Sequence, residues 1–123
     1  MSVFKIRGGK KLKGEIIPQG AKNEALQILS AVLLTPEPVT INNVPNIVDV
    51  NKLIDLIRDL GCKVEKLGDE SYRFTAKDIS TKFLESDDYR KKAAALRGSV
   101  MLLGPILARY GKASIAKPVG DKI

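Results

Sequence analysis

Glycine and proline cut this sequence into short segments, and the period of the apolar residues changes from one segment to the next. The main cuts fall at Gly20, Pro36, Pro38, Pro45, Gly61 and Gly111. Between them, helix-period stripes alternate with short strand-like runs, the pattern of a mixed α/β fold. Lys22 to Leu34 carries Ala25, Leu26, Leu29, Val32 and Leu33 on one helical face, and Thr35-Pro36 stops it. Val39 to Ile41 is β-branched throughout and predicts a strand. Val50 to Leu60 predicts a second helix, with Asp49 as N-cap and Gly61 just past its end. Its apolar stripe is Leu53, Leu56, Ile57 and Leu60. Cys62 to Lys66 and Tyr72 to Thr75 predict a hairpin across Gly68-Asp69, on a loop longer than two residues. Two more strands are expected before the first helix, at Val3 to Ile6 and Leu12 to Pro18. A third helix is expected from Tyr89 toward Arg109, kinked or broken at Gly104-Pro105, with Lys112 to Ala116 as a closing strand.

The chain has 123 residues, one domain's worth or a piece of a larger one, and 44% of them are apolar, enough for a core. It contains no His, which excludes a Ser-His-Asp triad, a His base and every His metal ligand. Its single Cys excludes an intrachain disulfide and a paired-cysteine redox or zinc site. Chemistry therefore falls to Asp, Glu, Lys, Arg, Tyr, Ser, Thr or Cys62. The net charge of +7 favours anionic partners, but the basic residues are scattered and aromatics reach only 5%, too few for a base-stacking platform. The longest strictly apolar stretch, Val100 to Ala108, is nine residues and holds Gly104-Pro105, well short of the ~20 a membrane helix needs. The first residues show no apolar signal core. The expectation is a soluble cytoplasmic protein.

Four residues stand out as candidates. Gly20-Ala21-Lys22-Asn23 places a lysine and an amide at the start of a helix after a strand, an arrangement suited to an anion. From spacing alone it reads first as a solvated lysine and a capping asparagine. Arg97 lies in a nearly all-apolar stretch and needs either a salt bridge or an anionic ligand. Asp121 sits in a Gly loop beside Lys122, where alone it reads as a turn residue. Cys62, between Gly61 and Lys63, reads as a small buried hydrophobe, and Arg90-Lys91-Lys92 as a solvated helix start. Pro18-Gln19-Gly20-Ala21-Lys22 and Pro118-Val119-Gly120-Asp121-Lys122 share the spacing P-x-G-x-K, a faint internal echo that predicts a helix beyond Ile123 in a longer chain.

Taken in order, Gly20-Ala21-Lys22-Asn23, Val39-Thr40-Ile41-Asn42-Asn43-Val44-Pro45, Asp59-Leu60-Gly61, Leu96-Arg97-Gly98-Ser99, Leu103-Gly104-Pro105 and Ala108-Arg109-Tyr110-Gly111 resemble the enolpyruvyl transferases that act on UDP-N-acetylglucosamine. The resemblance runs over essentially the whole chain. It implies an inside-out α/β barrel built from βαβαββ-type repeats, of which residues 1–123 would be an N-terminal fragment. Met1 to about Gln19 would partly belong with the other domain. It further implies transfer of the enolpyruvyl group of phosphoenolpyruvate to the sugar 3′-hydroxyl, the opening step of bacterial peptidoglycan synthesis. No metal or cofactor is implied.

By the same resemblance, Lys22 and Asn23 fall on the phosphoenolpyruvate site, Arg97 on the nucleotide-sugar side, and Asp121 on the loop residue that handles the proton. Many members have Cys where Asp121 stands, and Gly where Val119 stands. A free Asp ionises near pH ~3.9, so Asp121 needs a raised pKa to serve as acid, or acts as base. Replacement of the thiol by a carboxylate predicts insensitivity to fosfomycin, which alkylates that thiol. The remaining partner expectations are the rest of its own chain and self-association through apolar faces left uncovered. A basic nucleic-acid-binding module and a fragment that binds nothing alone are the competing readings.

Overall fold

The computed structural model describes residues 2–116. Ser2 to Gln19 is an extended arm without a strand, so the strands expected at Val3 to Ile6 and Leu12 to Pro18 do not form. A strand satisfies its backbone only on a neighbour, and among the described residues the arm has none. Its apolar side chains stay in solvent: Phe4 is 91% exposed and Leu12 97%.

The body begins at Gly20. Helix α1 (Lys22–Ala31) runs into a 3₁₀ turn over Val32–Leu34, matching the expected span. Leu29 and Leu33 are fully buried on the predicted face. Strand β1 (Val39–Ile41) follows as expected. Helix α2 (Val48–Asp59) starts two residues earlier than the expected Val50, with Ile47 as N-cap and no side-chain cap bond. Asp49 therefore lies inside the first turn, and the expected N-cap role is corrected. Gly61 ends α2 at φ 102°, and a Cβ there would stand 2.5 Å from the Asp78 carbonyl oxygen, so glycine is required on both counts.

Strands β2 (Lys63–Gly68) and β3 (Ser71–Thr75) form the hairpin, joined through Asp69 and Glu70. The strands are longer than expected and the turn correspondingly tighter, with an irregular register between Lys66 and Gly68. The sheet order is β1-β3-β2, and β3 is antiparallel to both neighbours. Hence β1 and β2 run parallel, connected by α2. Val39 and Val64 both pair with Phe74, which is fully buried under the helices, while Thr40, Arg73 and Glu65 form a row on the opposite face. The order α1-β1-α2-β2-β3 is the expected βαβαββ repeat without its opening strand.

The expected third helix is three pieces: α3 (Asp87–Ala94), a 3₁₀ segment (Arg97–Leu102) and α4 (Leu103–Tyr110). Ser86 caps α3 by accepting from the Tyr89 amide at 3.1 Å. The break falls at Leu96, which is extended, and not at Gly104-Pro105. Pro105 instead sits in the first turn of α4, where a missing N–H costs little. The segment after the break packs closely on α1: a Cβ at Gly98 would come within 2.9 Å of the Leu26 side chain. Gly111, at φ 67°, terminates α4 as expected. Lys112 to Ala116 forms no strand, because nothing among the described residues pairs with it. Tyr89 reaches this stretch by donating to the Ser114 carbonyl at 3.3 Å.

Candidate functional site

The start of α1 is held by its neighbours before any ligand is considered. A Cβ at Gly20 would collide with the Asn43 carbonyl oxygen and approach Pro45 Cδ to 3.1 Å. Asn43 itself is left-handed at φ 57°. The chain entering α1 therefore lies directly on the loop that leads into α2. That loop is tied down in turn: the Val44 amide donates to the Glu70 carbonyl at 2.9 Å, and Asn51 donates to Asn46 Oδ1 at 2.8 Å.

Lys22 is the first residue of α1, with Ala21 extended before it and no side chain capping the helix. Its ammonium donates to Asp49 Oδ2 at 3.2 Å, across from the first turn of α2. Both side chains keep over 40% of their exposure, so the pair contributes at most about 1 kcal/mol to stability. Its consequence is positional. Asn23 is exposed and does not cap α1, so the expected capping role is corrected. A surface cleft of about 140 Å³ opens beside the same helix end, lined by Gly20, Glu24, Ile28, Ile41 and Asn43, on a face that Lys22 and Asn23 do not line.

Arg97 opens the 3₁₀ segment and is exposed, with no ion pair among the described residues. The expected apolar helix around it is not there, and the expected salt bridge is not present among the described residues. Its neighbour Gly98 packs on Leu26, one helical turn beyond Lys22 on the same face. The segment bearing Arg97 thus touches the helix bearing Lys22 and Asn23. Asp121, the Pro118 to Lys122 half of the internal echo and the helix expected beyond it lie outside the described residues.

Three charged residues took roles that the sequence did not reveal. Asp49 meets Lys22 across 27 positions of sequence. Arg109, noted only as part of a motif, donates to the Leu33 carbonyl at 3.1 Å and the Ala76 carbonyl at 2.6 Å, joining α4 to the ends of α1 and β3. Lys92, expected in a solvated helix start, sits in the last turn of α3 and bridges Asp59 at 2.7 Å and Asp88 at 2.9 Å. The hydrogen bonds to Asp59 and Asp88 hold its ammonium above the usual lysine range. Cys62 is buried as expected, and burial pushes its thiol up against the smaller lowering effects of the Thr75 backbone and Arg109. Such a thiol is a poor nucleophile. Among the described residues no cluster of three or more His, Cys, Asp or Glu could hold a metal ion, and no helix is long and apolar enough to cross a membrane.

The sequence that builds this order of helices and strands has counterparts among known proteins. The sequence profile of EPSP synthase (3-phosphoshikimate 1-carboxyvinyltransferase) matches residues 6–120. The chain belongs to the EPSP synthase family. Within it, the chain is 59% identical over all 123 residues to a UDP-N-acetylglucosamine 1-carboxyvinyltransferase of Bacteroides fragilis. It is 50% identical to the enzyme so named in Porphyromonas gingivalis, and 42% to that of Escherichia coli. In each case it spans 28% of the relative's length and all of its own. The mixed helix-and-sheet architecture of this EPSP synthase family member is the expected fold class.

Proposed function

We propose that this chain is the part of a UDP-N-acetylglucosamine 1-carboxyvinyltransferase that carries Lys22 and Asn23 to the phosphoenolpyruvate site. The observation that carries the reading is identity of 59% across every residue of the chain to a protein of that name. The residue types suit the chemistry. Both substrates are anionic, carrying a carboxylate and phosphate on one side and a diphosphate on the other, so ammonium and guanidinium donors are required. Lys22 and Asn23 face phosphoenolpyruvate in this reading, and Arg97 faces the sugar nucleotide.

In the reaction the sugar 3′-hydroxyl gives up its proton as its oxygen bonds to C2 of phosphoenolpyruvate, and C3 takes a proton. The tetrahedral adduct then loses phosphate from C2 and a proton from C3, restoring the enol double bond. Asp121 is the candidate for moving the proton. The arm from Ser2 to Gln19 belongs, in part, against a second domain of the longer chain, which would cover its exposed apolar residues. The relatives are bacterial, and the proposed setting is the bacterial cytoplasm. No observation favours the nucleic-acid alternative.

The test is phosphate release from phosphoenolpyruvate in the chain extended to the length of its relatives. Release that requires UDP-N-acetylglucosamine and disappears in Asp121→Ala supports both the reaction and the role of Asp121. Release that survives the substitution removes Asp121 from the mechanism. A folded full-length chain without release overturns the reading. The same enzyme should keep its rate in fosfomycin, since a carboxylate stands where the alkylated thiol would be; rapid stoichiometric inactivation by the drug would contradict this.

A further inference from the structure

Lys22 is a flexible, half-exposed side chain that a ligand would have to order on binding. Asp49 already orders it. The carboxylate lies 3.2 Å from the ammonium, on the first turn of α2, and the loop that leads into that turn is anchored by its own hydrogen bonds. Asp49 does not cap α2, and its only side-chain hydrogen bond among the described residues is to Lys22. A carboxylate in the first turn of a helix is stabilised by the open amides there, which offsets part of its repulsion toward an incoming anion.

We propose that Asp49 is the positioning residue for Lys22: it holds the ammonium at the junction of α1 and α2, oriented to receive the anionic group of phosphoenolpyruvate. This rests on the reading of Lys22 as a phosphoenolpyruvate ligand. The geometry is specific. The pair links two helix starts that already meet at the close approach of Gly20 to Asn43, so it biases the lysine toward their junction.

The experiment compares Asp49→Asn, Asp49→Ala and Asp49→Glu in the full-length chain. Binding of phosphoenolpyruvate and of inorganic phosphate is measured by calorimetry, and KM and kcat by phosphate release. Asp49→Asn should weaken phosphoenolpyruvate about tenfold in both Kd and KM, with kcat within about threefold of the parent. Asp49→Glu, which keeps the charge, should recover most of the loss, whereas Asp49→Ala should not. A purely structural role would lower the folded fraction without this split between KM and kcat. The inference is overturned if Asp49→Asn leaves Kd unchanged, tightens it, or if Asp49→Glu behaves like Asp49→Ala. A parent chain that binds phosphoenolpyruvate but does not turn over removes the proposed reaction and leaves the Kd comparison to decide on Asp49. A parent chain that binds neither anion overturns both.

Discussion

The arm and the body of this protein both carry apolar residues of the same types, and these reach opposite outcomes. In the arm, Val3, Phe4, Ile6, Leu12, Ile16 and Ile17 are all at least 84% exposed. In the body, Leu29, Leu33, Leu53, Ile57 and Phe74 are fully buried. The difference is where the partners are. A helix closes its own hydrogen bonds and needs only a surface to lie on, and α1 and α2 supply that surface for each other and for the sheet. The hairpin strands β2 and β3 are joined by a tight turn, and β1 needs only the far edge of β3. Strand-like residues before α1 have no such neighbour among the described residues, so their pattern alone does not make structure there.

The largest expected contrast is between Phe74 and Phe4. Phe74→Ala removes the residue at the centre of the sheet and should cost about 4 kcal/mol in urea unfolding. Phe4→Ala in the arm should change stability by no more than ~0.5 kcal/mol, and a larger loss would mean that the arm packs on the body. Arg109→Met comes next. It leaves the Leu33 and Ala76 carbonyls without their charged donor and should cost about 2 kcal/mol, with a normal fold by circular dichroism.

A smaller effect is expected from Cys62. Burial favours its neutral thiol, so the native state holds the proton to higher pH than the unfolded chain. Stability should be unaffected by this group below the unfolded thiol's pKa, roughly 8.5, and should fall as pH rises beyond it. Cys62→Ala should flatten that decline, and native Cys62 should react with a thiol reagent only as fast as the body opens. An immediate reaction at neutral pH would contradict the burial.

What was legible in the sequence follows the same division. The spans of α1, α2 and β1 could be read because apolar period, Pro36 and Gly61 act locally. The break at Leu96 could not, since neither Leu96 nor its neighbours Ala95 and Arg97 carry a local helix-breaking signal. Pro105 misled for a related reason: proline disrupts a helix interior but not a first turn, and the sequence does not say where the turn begins. At the candidate site, Lys22, Asn23 and Arg97 were visible as residue types that suit anions. The contact of Lys22 with Asp49 was hidden, because acid in a first helical turn has an ordinary local explanation as a cap. Arg109 was hidden likewise, as its partners are backbone carbonyls that carry no sequence signal.

The measurement that bears most directly on the role of this segment is kcat/KM for phosphoenolpyruvate in Lys22→Met, made in the chain extended to its relatives' length with UDP-N-acetylglucosamine saturating. A loss of about 100-fold or more, with the folded state intact by urea unfolding, is the predicted result. A value within a few-fold of the parent would contradict the placement of Lys22 in the phosphoenolpyruvate site.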